Sequence, residues 1–344
     1  MKLIYLGHDE RILKYWTELI FSQNTTIRTN SYLPLWRIKI FLHKNNGKSD
    51  LAIVELNNIT KNAISLKSGF ILPRWLDMRI DIDRSLKTKQ IHHIKYQIRR
   101  YGLTYENRYT LSDLDYFYNR MYIPYTAQRY KDASVTADYD YFANIFKKKG
   151  SRLFFILRDG VPVAGSFDIK KGKKVFMHSL GILDARQDLL KMGVLGSSYY
   201  FKMLDYKNKN YNSLDIGGTC PILTNGLTQH KITLGAEVVV KNIRKQFIML
   251  IPIHDSITIK KFLKSNPFVY LKNNSHYCAV FTMDEDESEE KDFLRLIKQT
   301  KSINIRKTVV YCFNGINTIS RWLKTDPESK AEFTNYKIGD RIMY

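Results

Sequence analysis

Two glycines three residues apart mark the run Leu190-Lys191-Met192-Gly193-Val194-Leu195-Gly196-Ser197, between a strand-like segment and a helix-like one. Glycine there lets backbone N–H groups approach a pyrophosphate, the helix start adds partial positive charge, and Lys191 adds a full one. An ordinary glycine-rich helix start has the same composition, so both readings stay open. Asp215 closes a strand ahead of Gly217 and Gly218, where its carboxylate either faces a cleft or fixes its own turn. Imidazole is the side chain that titrates nearest neutrality, so His230 is a candidate base as well as a candidate structural residue; Lys231 beside it is a candidate cation or a solvated lysine. His178, in mid-strand, faces a cleft or the core. Thr126 and Arg129 are candidate substrate anchors, since guanidinium grips carboxylate or phosphate bidentately, with a surface salt bridge as the alternative. His92 and His93 are adjacent on an expected helix, so their rings diverge and make a poor metal pair.

These residues need elements to hold them. Met1 to Leu6 alternates as a strand, and Asp9 caps a helix through Ile12, Leu13, Trp16, Leu19 and Ile20. Trp36 to Leu42 and Leu51 to Leu56 read as strands, with Asn45-Asn46-Gly47 between them. Helices are expected over Asp83 to Tyr101, over Leu111 to Met121 with Ser112 as cap, and over Tyr139 to Lys149, closing at Gly150. Leu153 to Leu157 and Val161 to Ile169 form a hairpin about Arg158-Asp159-Gly160, and Lys170 to Lys174 turns into the strand Val175 to Leu180. A helix over Val194 to Tyr206, a strand at Leu214 to Ile216, a helix at Gly226 to Leu234 and a strand at Glu237 to Val240 follow.

From Phe247 the pattern restarts. Strands are expected at Phe247 to Ile253, Val269 to Tyr270, Tyr277 to Phe281 and Thr308 to Phe313, with helices at Ile257 to Leu263 and Phe293 to Ile297. The acidic run Asp284 to Glu290 suits the start of the second helix. The division expected is residues 1–150, 151–246 and 247–344.

Fifty-five Lys and Arg against 33 Asp and Glu give a net charge of +22, which concentrates anionic partners such as RNA, a phosphorylated cofactor or an acidic membrane face. The basic residues are scattered, unlike a compact nucleic-acid arm, and an AT-rich genome would leave the same composition. Cys220, Cys278 and Cys312 form no CxxC pair, which argues against a zinc ribbon or disulfide framework and fits a reducing, cytoplasmic setting. No run approaches a transmembrane length of about 18 apolar residues, and Met1 to Gly7 is too short for a signal core.

Residues Phe154 to Val240 resemble GNAT acyltransferases, in their FemAB and BioF2-like branch. The likeness runs through Leu157-Arg158-Asp159-Gly160-Val161-Pro162-Val163-Ala164-Gly165, the strand with His178, and Gly193 with Gly196. It ends at Leu214-Asp215-Ile216-Gly217-Gly218 and at Asn225-Gly226-Leu227 with His230-Lys231 and Gly235-Ala236, which look like the Asp-Phe-Gly-Gly and Gly-Leu-x-x-Phe-Lys-x-x-Phe-Gly segments of that branch. A softer match covers Tyr125-Thr126-Ala127-Gln128-Arg129-Tyr130 before Tyr141-Phe142. The sequence departs at Leu190, which stands at the first position of the donor turn, and at His230, where the branch has an aromatic residue.

The resemblance implies an α/β fold with a GNAT-like mixed sheet flanked by helices, in two GNAT-like halves, plus a C-terminal α/β extension. It implies an acyl-CoA co-substrate, or aminoacyl-tRNA as in the FemAB branch, held by Lys191, Gly193, Val194, Leu195, Gly196 and Ser197. Catalytic residues on this reading are Asp215, His230 and Lys231; Thr126, Arg129 and His178 line the acceptor side. The acceptor is an amine-bearing small molecule or an envelope precursor such as an amino sugar or peptide, reached with peripheral membrane contact. Amine acyl transfer needs a proton acceptor, oxyanion donors and alignment, and requires no metal. A reading of another class keeps the scaffold as a non-catalytic RNA- or anionic-surface-binding protein.

Overall fold

A computed structural model describes residues 1–10, 13–16, 26–30, 33–63, 69–130, 136–148, 150–239, 246–283, 287–314 and 331–338. Contacts gather the chain into two units. Unit 1 comprises Met1–Asp77, Gly218–Ile232 and Val238–Tyr344; unit 2 comprises Met78–Gly217 and Thr233–Glu237. The architecture is mixed α/β, with sheets of five, seven and four strands.

In unit 1, β1 (Lys2–Leu6), β2 (Thr26–Asn30), β3 (Leu51–Asn57), β4 (Phe70–Pro73) and β12 (Gln246–Pro252) form one sheet in the order β2-β1-β3-β12-β4. β1 runs parallel to β2 and β3, whereas β12 runs antiparallel to β3 and β4. The expected restart at Phe247 is therefore corrected: Phe247, Met249 and Ile251 return to pack with Ile4, Leu6, Ala52 and Val54. The segment read as a strand over Trp36 to Leu42 is instead helix α1 (Leu35–Lys44). Ile38 and Leu42, one helical turn apart, are buried, while Trp36 and Ile40 are exposed. The alternation Ile38-Lys39-Ile40 imitates a strand, yet only the i, i+4 pair finds a core. Of the first expected helix, Leu13 to Trp16 is helical; Ile12, Leu19 and Ile20 lie outside the described residues.

The second sheet of unit 1 holds β13 (Phe268–Lys272), β14 (Ser275–Thr282), β15 (Lys307–Cys312) and β16 (Ala331–Asn335). Its helices are α9 (Ile257–Ser265), capped by Ser256, and α10 (Glu287–Ser302). Residues 284–286 of the acidic run lie outside the described residues.

Unit 2 is built on β6 (Leu103–Arg108), β7 (Ser151–Arg158), β8 (Val161–Lys171) and β9 (Lys174–Ile182), paired antiparallel in sequence order. The β7–β8 turn places Asp159 and Gly160 at φ 52° and 77°, the left-handed pair that a tight hairpin needs. β10 (Ser213–Thr219), β5 (Leu76–Asp81) and β11 (Ala236–Val238) complete the order β11-β5-β10-β9-β8-β7-β6.

Helix α2 (Lys89–Tyr101) stops at Gly102, φ 60°. Helix α3 (Leu111–Phe117) is capped by Thr110, whose side chain exchanges hydrogen bonds with Asp113, so the cap lies two residues before the expected Ser112. A π-turn, Tyr118–Tyr122, leads into α4 (Ile123–Tyr130). Leu153, Phe155 and Phe167 pack with Leu114, Phe117 and with Phe142 of α5 (Tyr139–Phe146) on one face. Phe154, Ile156 and Ala164 pack with Val194 and Leu195 on the other. β7 is covered on both faces, which is why it reads as an unbroken apolar run. No helix among the described residues is long and apolar enough to cross a membrane.

Candidate functional site

The connection after β9 passes through α6 (Gln187–Lys191) into α7 (Val194–Asn208) and back to β10, which pairs parallel with β9. Such a crossover points its helix start at the carboxyl ends of the two strands. Two irregularities lie along these strands. The β8–β9 register jumps from Phe167↔Ser179 to Asp168↔Met177, so His178 is the extra residue of a β-bulge. β9 and β10 pair at Asp215↔Phe176. Gly217 itself turns out of extended conformation at φ 72°. Bulges are devices that re-aim a side chain.

The expected donor turn forms the start of α7. Gly193 caps it at φ 80°, and the first helical bond joins Ser197 N–H to the Gly193 carbonyl at 2.9 Å, reinforced by Ser197 Oγ at 3.0 Å. The amides of Val194, Leu195 and Gly196 thus precede the helical ladder. Val194, Leu195, Gly196 and Ser197 are buried, and Lys191 is exposed. The glycines also meet α2: a Cβ on Gly193 would lie 2.1 Å from Gln97 Oε1, and one on Gly196 would lie 3.0 Å from Ile94 Cγ1. Both therefore permit close packing of α7 on α2.

Thr126 is buried and Arg129 exposed on α4, with Arg129 Nη1 donating to Tyr125 Oη at 2.7 Å. Tyr125 shares one core cluster with Val194 and Leu195, and Gln128 bonds Gln187 at 2.6 Å, so α4 is a neighbour of the donor turn. His178 is half-buried, its Nε2 3.2 Å from Tyr141 Oη and its Nδ1 2.8 Å from Ser179 Oγ. Tyr141, half exposed, is a partner that the sequence reading did not single out. Asp215 Oδ1 accepts from Gly217 N–H at 3.0 Å, which holds the strand kink.

His230 and Lys231 belong to α8 (Gly226–Thr233), in the unit 1 portion of the chain. Lys231 is buried and its Nζ donates to the Gly218 carbonyl at 2.9 Å. Asn225 opens α8 by accepting from Leu227 N–H at 3.0 Å.

A second polar group in unit 2 escaped the sequence reading. Arg152, Asp168, Lys202, Asp205 and Tyr206 are all buried between β7, β8 and α7. Arg152 Nη1 lies 2.7 Å from Asp205 Oδ2, its Nη2 lies 3.5 Å from Asp168 Oδ2, Lys202 pairs with Asp168, and Tyr206 Oη donates to Asp168 at 3.0 Å. The guanidinium also stacks 4.3 Å from the Tyr206 ring. Burial pulls the Lys202 ammonium down to about 8, against the opposing pull of Asp168. Burial works to raise the Asp205 carboxyl, but bonds from Lys209 and Arg152 leave it below its ordinary value.

This network predicts a pH signature. Below pH 8 folded and unfolded chains both hold the Lys202 proton, so the cost of burying it is fully present. As pH rises from about 8 toward the ordinary lysine value, the unfolded chain binds more protons than the folded one and stability gains. Lys202→Met should remove that gain. Urea midpoints for both proteins at about pH 7 and about pH 10 measure it, and equal slopes would contradict the assignment.

No family model matches the chain, and no curated protein matches it. Among solved structures, the DUF2156 C-terminal domain of a protein from Agrobacterium fabrum assigned as a lysylphosphatidylglycerol synthetase aligns at TM-score 0.39 and 14% identity, over 63% of this chain and 72% of that one. FemX aligns at 0.42 and 15%, over 58% of this chain and 72% of its own. A GCN5-related N-acetyltransferase from Kribbella flavida aligns at 0.29 and 13%, over 63% and 73%. The solved structures similar to this chain thus include FemX and GNAT-type N-acetyltransferases; at these values each is a likeness and carries no weight for substrate or donor.

Proposed function

We propose that the protein is an N-acyltransferase that moves an acyl group from acyl-CoA to an amine by direct attack. The observation that carries this reading is the β9–α7–β10 crossover, whose helix starts at Gly193 with the amides of Val194, Leu195 and Gly196 ahead of the helical ladder. The donor pyrophosphate rests on the amides of Val194, Leu195 and Gly196, with Gly193 and Ser197 shaping the turn and Lys191 adding charge. The acyl end runs toward the carboxyl ends of β9 and β10. The acceptor, an amino sugar, a peptide or an envelope precursor, approaches past Thr126, Arg129 and His178.

The amine nitrogen attacks the thioester carbonyl carbon and the carbon–sulfur bond breaks. The amine proton passes to a base, and the sulfur leaves as the thiolate that finally takes it up. Asp215 is the proposed base in unit 2, with His230 as the second candidate. Lys231 acts as a positioning residue through the Gly218 carbonyl that it holds. The charge of +22 favours one second reading, aminoacyl-tRNA as donor with the same site.

A thermal-shift panel of CoA, acetyl-CoA, longer acyl-CoAs and charged tRNA tests donor choice. A true donor at 100 times its dissociation constant should stabilise the chain by about 2.7 kcal/mol. Lys191→Glu, at an exposed position, should weaken that response and leave the ligand-free melting point unchanged. A panel in which nothing shifts the melting point would remove the transferase reading.

A further inference from the structure

Unit 1 contains a second place where topology alone opens a crevice. β2 lies between β1 and β3 in the sequence, yet in the sheet β1 lies between β2 and β3, with all three strands parallel. The chain leaves β1 toward one side and returns across it to the other, so the connections part above the carboxyl end of β1. In open parallel sheets such switch points are where ligands bind. β4 reaches the same edge with its carboxyl end, and β12, running the other way, begins there.

A cavity of about 580 Å³ occupies this edge, within the usual range for small-ligand sites. Gly7, Glu55, Asn57, Arg74, Gln246 and Phe247 are among the residues lining it. Gly7 is required by the approach of Glu55, whose Cγ would lie 2.6 Å from a Cβ there. The Glu55 carboxylate accepts from Tyr5 Oη at 2.6 Å and from His8 N–H at 3.0 Å, one bond on each oxygen, and each oxygen can accept another. Arg74 Nη2 bonds Asp9 Oδ2 at 2.6 Å, while its Nε is buried with no hydrogen-bond partner among the described residues. Arg74 and Glu55 line this one cavity, a guanidinium with an N–H in want of an acceptor and a fixed carboxylate with acceptor capacity left, which suits a ligand carrying both acceptors and donors.

We infer that this switch-point cavity binds a small hydroxylated oxyanion, a sugar phosphate or a sugar acid, with its anionic group on Arg74 and its hydroxyls on Glu55. The site is separate from the donor turn and does not depend on the transferase reading.

Calorimetric titration of the full chain with ribose 5-phosphate, gluconate, ribose and inorganic phosphate tests it. At least one of the first two should bind saturably, with ribose and inorganic phosphate weaker by about tenfold or more. Arg74→Ala should weaken binding by about tenfold or more. Because that change also removes the 2.6 Å bond to Asp9, Gln246→Trp, at an exposed position on the cavity rim, provides an independent obstruction and should abolish binding with an unchanged melting point. Lys191→Glu should leave this binding intact. Absence of saturable binding by both oxyanions, binding of ribose as tight as that of its phosphate, or binding unaltered by Gln246→Trp would each overturn the inference.

Discussion

Asp168→Asn should cost about 3–5 kcal/mol of folding stability, the largest loss expected from any single polar substitution in unit 2. Asp168 is fully buried and faces the Lys202 ammonium, the Arg152 guanidinium and the Tyr206 hydroxyl. An amide keeps the shape but removes the negative charge, leaving two buried cations and one carboxylate, Asp205, which pairs with Arg152 and not with Lys202. Arg152 retains its 2.7 Å bond to Asp205, and Asp205 is already engaged by Lys209 at 2.6 Å. Lys202 has no such second carboxylate among its described ion pairs, and its charge becomes uncompensated. The expected secondary effect is a further fall in the Lys202 proton affinity, since burial already holds it at about 8. Urea denaturation of the single variant and of Asp168→Leu combined with Lys202→Met separates the terms. The double variant should recover part of the loss, because removing both charges also removes their desolvation cost. A single variant within about 1 kcal/mol of the parent would show that water reaches the group.

Gly181→Ala should be the most damaging one-carbon addition, at roughly 3 kcal/mol, the upper end for overpacking. Gly181 pairs with Gly165 across β8 and β9, and its open side lies under the π-turn. A Cβ there would stand 2.4 Å from the Met121 carbonyl carbon, 2.6 Å from its oxygen and 2.6 Å from Tyr122 N. These are backbone atoms, so no rotamer change relieves the collision; the turn or the strand must move. The displaced turn carries Met121 and Tyr122, which sit in the cluster with Phe117 and Phe142, so the disturbance spreads into that core. Gly226→Ala is the control, since a Cβ there meets nothing within 4 Å. Its melting point should equal the parent's or exceed it slightly. Equal melting points for Gly181→Ala and Gly226→Ala would disprove the close approach.

The same sterics alter what the donor-turn glycines can teach. With Gln97 beside Gly193 and Ile94 beside Gly196, a valine at either site disturbs the α2–α7 contact as well as any ligand. Lys191, exposed and one turn earlier, separates the two effects more cleanly.

Local pattern carried much of the architecture. Asp159-Gly160 demanded left-handed backbone, so the β7–β8 hairpin was legible before any coordinates, as were the crossover from β9 through α7 to β10 and the helix after Asn225. These are contacts between neighbours in sequence, where turn chemistry and periodicity act directly. The Arg152–Asp168 ion pair was not legible, because an unbroken hairpin with Arg158 opposite Val161 sets Arg152 opposite Phe167, and only the register shift between Ile156 and Leu157 brings Asp168 there.

Other features depended on partners far along the chain. Ile38-Lys39-Ile40 satisfies a strand and a helix equally until the sheet beneath α1 selects Ile38 and Leu42. β12 looked like a new beginning because nothing in its own residues names β3, almost two hundred positions earlier, as its neighbour. The bulge at His178 arises from register, which is a property of paired strands and of neither strand alone. The Gly193-x-x-Gly196 spacing was visible in the letters, but that α2 would press against both glycines was settled only by packing, since side-chain volume at a helix crossing is fixed jointly by both helices.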